Sequence, residues 1–230
     1  MEPDQTAREL ARVENERGEI VLRERSGEVP VTLELRVNGV FVMDTLETST
    51  ERALALHALE LVERPARVLV GGLGLGFTMH EVLSDSRVER VNVVEIEPDL
   101  VRWMRDGTVP HGPQFLADGR LTVTVADIAT AMDEARGASY DLVLLDIDNG
   151  PGHLVHDANA AVYQEPFLAR CREAIAPGGA LVVWSADEAP DLDASLRSVF
   201  GDATALAFDV ALQGREEEYW LHVARVPDSP

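Results

Sequence analysis

Three glycines at alternate positions, Gly72, Gly74 and Gly76, follow the strand-like run Arg67-Val68-Leu69-Val70. Glycines placed so let the backbone approach a ligand closely. After a helical interval, Val91-Asn92-Val93-Val94 ends in Glu95, where a carboxylate at a strand tip can accept two hydrogen bonds from a ribose. Ile96 stands beside it, and Glu97 with Pro98 reads as the start of the next helix. Asp127 closes the third strand-like run, where it can receive an adenine amino hydrogen or cap the following helix, two roles that can coexist. Ile128 can then supply an apolar face to the ring. Gly72, Gly74, Gly76, Glu95, Ile96, Asp127 and Ile128 are therefore expected to hold a nucleoside-bearing cofactor.

Carboxylates also follow the fourth strand-like run, in Tyr140-Asp141-Leu142-Val143-Leu144-Leu145-Asp146-Ile147-Asp148. In an open α/β sheet ligands sit outside the carboxyl ends of the strands, so acids there face the reacting end of the cofactor. Asp146 is expected to hold a cationic amine or take a proton from a nucleophile, with Asp148 beside it. His153 and Tyr163 are candidate assistants. The group His153, His156 and Asp157 has no second cluster near it in sequence, so no metal centre is expected.

These residues need a scaffold. From Ala66 onward strands and helices alternate, which predicts a mostly parallel sheet with helices on both faces. Strands are expected at 67–71, 91–95, 121–125, 141–146 and 180–185, and helices near 76–84, 98–106, 127–135, 160–175 and 191–200. Pro177-Gly178-Gly179 reads as the turn into the fifth strand, and the segments around 107–119 and 149–160 as loops. Strands at 203–210 and 218–226, joined by the turn Gln213-Gly214-Arg215-Glu216, predict a closing antiparallel hairpin. Such a hairpin distinguishes the class I methyltransferase arrangement from the all-parallel dinucleotide fold. Ahead of the core, Ile20–Leu22, Val31–Val37 and Val40–Met43 predict a small antiparallel meander between Gly18 and Asp44. A helix follows, capped by Thr48-Ser49-Thr50, with Leu54, His57, Ala58, Leu61 and Val62 on one face. The expected division is a cap with linking helix over 1–64 and a cofactor-binding Rossmann-like core over 65–230.

Composition narrows the function classes. In 230 residues, 41 acidic side chains against 20 basic ones leave a net charge of −21, which repels nucleic acid and anionic lipid. Every basic residue other than histidine is an arginine, which excludes a Schiff-base lysine. Cys171 is the single cysteine, so no internal disulfide can form, and it is expected to pack in a helix. The polar start Met1-Glu2-Pro3-Asp4-Gln5 is unlike a signal peptide, and no apolar run reaches membrane-spanning length. A cytoplasmic protein with a small-molecule substrate is the expectation, the acidity suiting a cationic one, and the meander is a candidate dimer surface. Pro227-Asp228-Ser229-Pro230 reads as a loose end.

The order of these features resembles the spermidine synthase family. The resemblance rests on Glu51-Arg52 at the capping helix, Thr78 to Leu83 after the glycine loop, Val94-Glu95-Ile96-Glu97, Tyr140 to Asp148, and Pro177-Gly178-Gly179. It is closer still to a divergent branch that reads Gly-Leu-Gly-Leu-Gly-Phe-Thr at Gly72 to Thr78 and Leu-Asp-Ile-Asp-Asn-Gly-Pro at Leu145 to Pro151. The resemblance implies a class I methyltransferase-like fold and S-adenosylmethionine or decarboxylated S-adenosylmethionine as group donor. It also implies departures. Leu75 stands where aminopropyltransferases carry an aspartate that helps hold the donor's amine. The family's Tyr-His pair at the polyamine site falls on His57-Ala58, and its second strand-four aspartate falls near Asn149, with Asp148 able to substitute. Methyl transfer to a small molecule is the leading expectation, with Asp146 positioning the nucleophile. Aminopropyl transfer to a diamine is the alternative, with Asp146 and Asp148 receiving the amine, and a non-catalytic binding or assembly protein is a third. A nicotinamide dehydrogenase fits less well, because Phe77 replaces the third glycine of that fingerprint.

Overall fold

In the computed structural model, which describes residues 7–25, 31–135, 137–212 and 215–228, the expected meander has a further strand ahead of it. Strands β1 (Ala7–Asn15), β2 (Gly18–Arg25), β3 (Thr32–Val37) and β4 (Val40–Asp44) pair in chain order as a four-stranded antiparallel sheet. The sequence of β1 hides it, since charged residues crowd a run with few apolar ones. Cross-strand charge pairs help to support it: Arg8 reaches Glu24 at 3.1 Å, and Arg12 bonds Glu19 of β2 as well as Glu9 of its own strand.

Helix α1 (Ser49–Leu61) follows, with Thr48 at the N-cap position. No side-chain capping bond forms there, contrary to expectation, and the Thr48 hydroxyl instead accepts from Arg52 Nε at 3.2 Å. The buried stripe is Leu54, Ala55, Ala58, Leu59 and Val62, so the face is rotated from the expected one. His57 and Leu61 fall at its half-buried edge.

Seven strands form the main sheet: β5 (Arg67–Gly71), β6 (Arg90–Glu95), β7 (Leu121–Val125), β8 (Tyr140–Leu145), β9 (Ile175–Ser185), β10 (Thr204–Leu212) and β11 (Arg215–Arg225). Their order is β10-β11-β9-β8-β5-β6-β7, with β5 to β9 parallel and β11 antiparallel to both neighbours. This is the class I methyltransferase arrangement that the closing hairpin predicted. Two local expectations are corrected. Pro177-Gly178-Gly179 lies inside β9, where the register jumps from Tyr140 opposite Ile175 to Leu142 opposite Ala180. The segment bulges, with Gly178 at φ +77°, and bonds to Val226 tie it to the end of the neighbouring strand. In the hairpin, Arg215 and Glu216 are strand residues facing Leu212 and Ala211 across the ladder, while Gln213 and Gly214 lie outside the described residues.

The remaining helices are α2 (Phe77–Ser84), α3 (Pro98–Asp106), α4 (Gly112–Phe115), α5 (Ile128–Glu134), α6 (Glu165–Ala174) and α7 (Pro190–Phe200). The short α4 interrupts what reads as a loop. The helix expected over 160–175 is divided into a 3₁₀ turn, Asp157–Tyr163, and α6. Pro166 has no amide to donate back toward Val162, so a regular helix can only begin around it.

Alternation along the parallel strands builds two cores from one sheet. Val68, Val70, Leu142, Leu144 and Val182 join the cluster that includes α1, α2 and the four-stranded cap. Leu69, Val143, Leu145, Leu181 and Val183 join the opposite cluster with α5, α6 and α7, where Cys171 is fully buried as expected. Each such side chain contributes about 1.5–3 kcal/mol by leaving water. Ile20, Leu22, Leu33 and Leu35 of the cap share the first cluster. Among the described residues no helix is long and apolar enough to cross a membrane.

Candidate functional site

Strand β5 lies between β6 and β8, so connections from it run to opposite sides and a crevice opens beyond the carboxyl ends of the strands. A cleft of about 230 Å³ occupies that crevice. The strand tips supply Gly72, Glu95, Asp127 and Asp146, the cap supplies Leu35, Val42 and Met43, and α1 supplies Glu51.

The glycine loop is shaped by the protein's own packing. Gly72 has φ +94°, its amide donates to Val94 O at 2.9 Å, and a Cβ there would collide with the Asp146 carbonyl. At Gly74, φ +49°, a Cβ would meet Met43 Sδ at 2.7 Å. Gly72 and Gly74 line the cleft, whereas Gly76 does not. Gly76 is the N-cap residue of α2, with Met104 Cε 2.9 Å from where its Cβ would lie. Leu75 is fully buried beside it, so the position at which the family resemblance implies an amine-holding aspartate is core here.

Glu95 is 7% exposed, and both its oxygens are engaged: Oε2 accepts from Leu73 N and Oε1 from Glu97 N, each at 2.8 Å. Burial raises its pKa, while those two amide bonds act in the opposite direction. Each oxygen keeps a further lone pair, so a diol in the cleft can still donate to it. Ile96 and Ile128 line the same end. Asp127 also lines it and caps α5, accepting from Ala129 N at 2.7 Å, so both expected positions coincide. Glu97 occupies the N-cap position of α3 without a side-chain capping bond, and is gripped from the cap by Arg17, with Asn15 Nδ2 donating at 3.0 Å.

At the other end Asp146 accepts from the Thr78 hydroxyl at 2.6 Å, and burial raises its pKa. Asp148, at φ +54°, accepts from Asn159 Nδ2 at 2.8 Å and is also raised by burial. Glu51 was not anticipated as a site residue. It is 9% exposed, the Thr50 hydroxyl donates to it at 3.1 Å, and burial followed by the Asp146 charge pushes its carboxyl up to about 8. The signal was available in the sequence: Glu51 sits three and four residues before Leu54 and Ala55, on the buried stripe of α1.

The two assistants lie elsewhere. Tyr163 is 3% exposed, lies outside the cleft lining, and donates to Ile147 O at 2.6 Å, which fixes the tip of β8. His153 is exposed and pairs with Asp187 at 2.6 Å, while His156 lines the cleft near Asp148. Asn149 reaches out of the site, donating to Phe41 O at 3.2 Å. Trp184, another residue missed from sequence, lines the cleft from β9. Among the described residues, six that bear carboxyls line the cleft, Glu51, Glu95, Glu97, Asp127, Asp146 and Asp148, and no arginine does. Such a cleft favours a cationic occupant.

Comparison with known proteins bears on this arrangement. The family model described as spermine/spermidine synthase domain matches residues 47–199. A putrescine N-methyltransferase 3 of Nicotiana tabacum is 28% identical over 118 residues, 51% of this chain and 29% of that protein. A polyamine aminopropyltransferase 2 of Streptomyces coelicolor is 33% identical over 120 residues, 51% of this chain and 21% of that protein. The aligned regions thus span less than a third of either relative. The crystal structure of spermidine synthase from Thermotoga maritima superposes with a TM-score of 0.78 at 18% identity, covering 94% of this chain and 72% of that one.

Proposed function

Starting from a chain that belongs to the spermine/spermidine synthase family, we propose a transferase that moves an alkyl group from an adenosyl sulfonium donor to a small amine. The observation that carries this reading is the carboxylate-lined cleft without an arginine, matched to a cationic donor and a cationic acceptor. When bound, the sulfonium supplies an electrophilic carbon and a neutral thioether leaving group. Glu95 binds the ribose hydroxyls and Ile128 packs on the adenine. Asp146 orients the acceptor nitrogen and takes its proton as the new bond to carbon forms, and the raised pKa suits it to that exchange. Tyr163 acts on the reaction by holding Ile147, and His153 stands apart from it. In this reading the core over 65–230 holds the donor, and the cap and linking helix over 1–64 shape the acceptor side.

Methyl transfer from S-adenosylmethionine is the leading form, because buried Leu75 offers no compensating charge to an aminopropyl ammonium that lacks the carboxylate S-adenosylmethionine carries beside its own amine. Aminopropyl transfer from the decarboxylated donor is the second form. It is favoured by one feature: among the described residues no arginine lines the cleft to pair with the carboxylate that only S-adenosylmethionine carries. Incubating the protein with each donor and a panel of amines, read by product mass, decides between the two. Failure of any nucleoside sulfonium or thioether to bind by calorimetry supports the non-catalytic reading instead.

A further inference from the structure

An alkylamine arrives at neutral pH as an ammonium, since its pKa is about 10. It has no lone pair until one proton leaves, and a further proton leaves as the new bond to carbon forms. In the transferase reading Asp146 takes the second of these. A group for the first must lie in the same cleft, within reach of the same nitrogen.

Two carboxyls of the lining stand by Asp146: Asp148, two residues further along the chain, and Glu51 from α1, which packs on β8. Asp148 is already occupied, with Asn159 Nδ2 at 2.8 Å and the amides of Val155 and His156 bonded to it. It fastens the loop after β8. Glu51 is differently placed. Its Oε2 accepts from the Thr50 hydroxyl at 3.1 Å and its own amide also bonds the carboxyl, yet the carboxylate keeps acceptor positions beyond these. Among the described residues the sealed, unpartnered polar atoms belong to Arg170, Trp184 and His222, so the Glu51 carboxyl is not one of them, and it lines the cleft. Arg52, the next residue, is bonded to Glu81 of α2 at 2.8 Å instead of to Glu51. The charged and titratable groups that act with Glu51 are Asp146 from β8, Glu47 ahead of α1 and Tyr219 from β11.

Burial decides what such a carboxyl does to an ammonium. A cation and an anion brought together in a dry cleft lose their hydration, so neutral amine with carboxylic acid lies closer in energy to the ion pair than it does in water. The same burial, followed by the Asp146 charge, raises the Glu51 pKa from 4.5 to about 8, toward that of the amine. A sulfonium donor acts in the same direction, because its positive charge disfavours a second one on the nitrogen that must approach it.

We propose that Glu51 is the base that frees the acceptor: it takes a proton from the bound ammonium, leaving a neutral amine held by Asp146 in line with the donor. The nitrogen lone pair then forms the bond to carbon, the carbon–sulfur bond breaks, and its electron pair stays on sulfur as a neutral thioether. The new ammonium gives its proton to Asp146, and Glu51 returns its own to water once the product has left. This inference deepens the transferase reading and rests on it.

The test compares two acceptors that differ in how they arrive. One is a four-carbon diamine. The other is the same diamine fluorinated on its two central carbons, which draws electrons from both amines and leaves them largely neutral at neutral pH. Turnover of each is measured with each sulfonium donor, for the parent and for Glu51→Gln, and S-adenosylhomocysteine affinity shows that the variant is folded. Fluorination weakens the nucleophile equally for both proteins, so the ratio of parent to variant is the readout. Glu51→Gln is expected to slow the diamine by about a hundredfold or more and the fluorinated diamine by less than about tenfold. Equal losses on the two acceptors would mean that Glu51 only seats the amine, and no loss on either that it takes no part. Both results overturn the inference and leave the transferase reading standing. If the parent transfers nothing to these acceptors or to the wider amine panel, the transferase reading falls and the inference with it.

Discussion

Gly72 and the Asp146 backbone carbonyl are in contact so close that no side chain fits between them. The glycine thus joins the tips of β5 and β8, reinforced by Asp146 N donating to Gly71 O at 2.8 Å. Gly72→Ala must both displace a backbone oxygen and adopt φ +94°, which L side chains rarely take. A loss of about 3 kcal/mol or more is expected in denaturant unfolding, together with weaker nucleoside binding. An alanine variant as stable as the parent would show that the two tips are not held together.

Glu51 makes the stability of the free protein depend on pH. Its carboxyl rises from the ordinary 4.5 to about 8 on folding. A raised folded pKa contributes stability that is fully present below 4.5 and is lost as pH rises through about 8. Glu51→Gln has no proton to lose there. Thermal unfolding should show parent and variant most alike near pH 4.5 and the variant gaining on the parent by a few kcal/mol toward pH 8. A difference that does not change with pH would mean that Glu51 is solvated.

The parallel strands were legible because burial on both faces demands unbroken apolar runs, as in Val68-Leu69-Val70 and Leu142-Val143-Leu144-Leu145. The strand-tip lining of the cleft was legible for a related reason: Gly72, Glu95 and Asp127 each follow such a run, so their position at a strand tip is set locally. The Trp184 side of the cleft depends on contacts between distant elements. Trp184 inside Leu181-Val182-Val183-Trp184 reads as core, and only the cap opposite it opens a cleft there. Strand β1 was hidden because its few apolar residues, Leu10, Ala11 and Val13, pack on the cap only partly buried and are separated by charged residues such as Arg8, which pairs with Glu24.

Arg17 ties the cap to the core, bonding the 5% exposed Glu97 and donating to Ile96 O at 3.2 Å. Arg17→Ala leaves Glu97 with Asn15 as its remaining side-chain donor from the cap. The arginine is itself partly exposed, which limits the loss to about 1 kcal/mol. The sharper readout is amide exchange in β1 and β2, expected to accelerate in the variant while β5 and β8 stay protected. Equal exchange in both proteins would show that the apolar contacts hold the cap alone.

Thr78 sets the ionisation of Asp146. Its hydroxyl bonds the charged form at 2.6 Å and so lowers a pKa that burial raises. Thr78→Val removes the bond with little change of shape, and the Asp146 pKa moves further up. With Asp146 as the proposed proton acceptor, acting in its ionised form, the rising limb of the pH–rate profile should move to higher pH. A limb that stays in place would assign the proton transfer to another group.

Glu95 is the most direct test of the donor end. Its carboxylate accepts the amides of both Leu73 and Glu97, so it orders the glycine loop and the start of α3 even before a ligand arrives. Glu95→Ala strands two buried N–H groups and removes the proposed acceptor for the ribose, whereas Glu95→Gln keeps the shape and turns one acceptor into a donor facing an amide. S-adenosylhomocysteine binding should weaken at least about tenfold in both variants. A ligand with the ribose hydroxyls removed separates the two roles. Against the parent it should bind weakly, and Glu95→Ala should weaken it further only to the extent that the loop has lost its order. If the parent binds the deoxy ligand as tightly as the natural one, the sugar lies away from Glu95 and the donor is seated differently in the cleft.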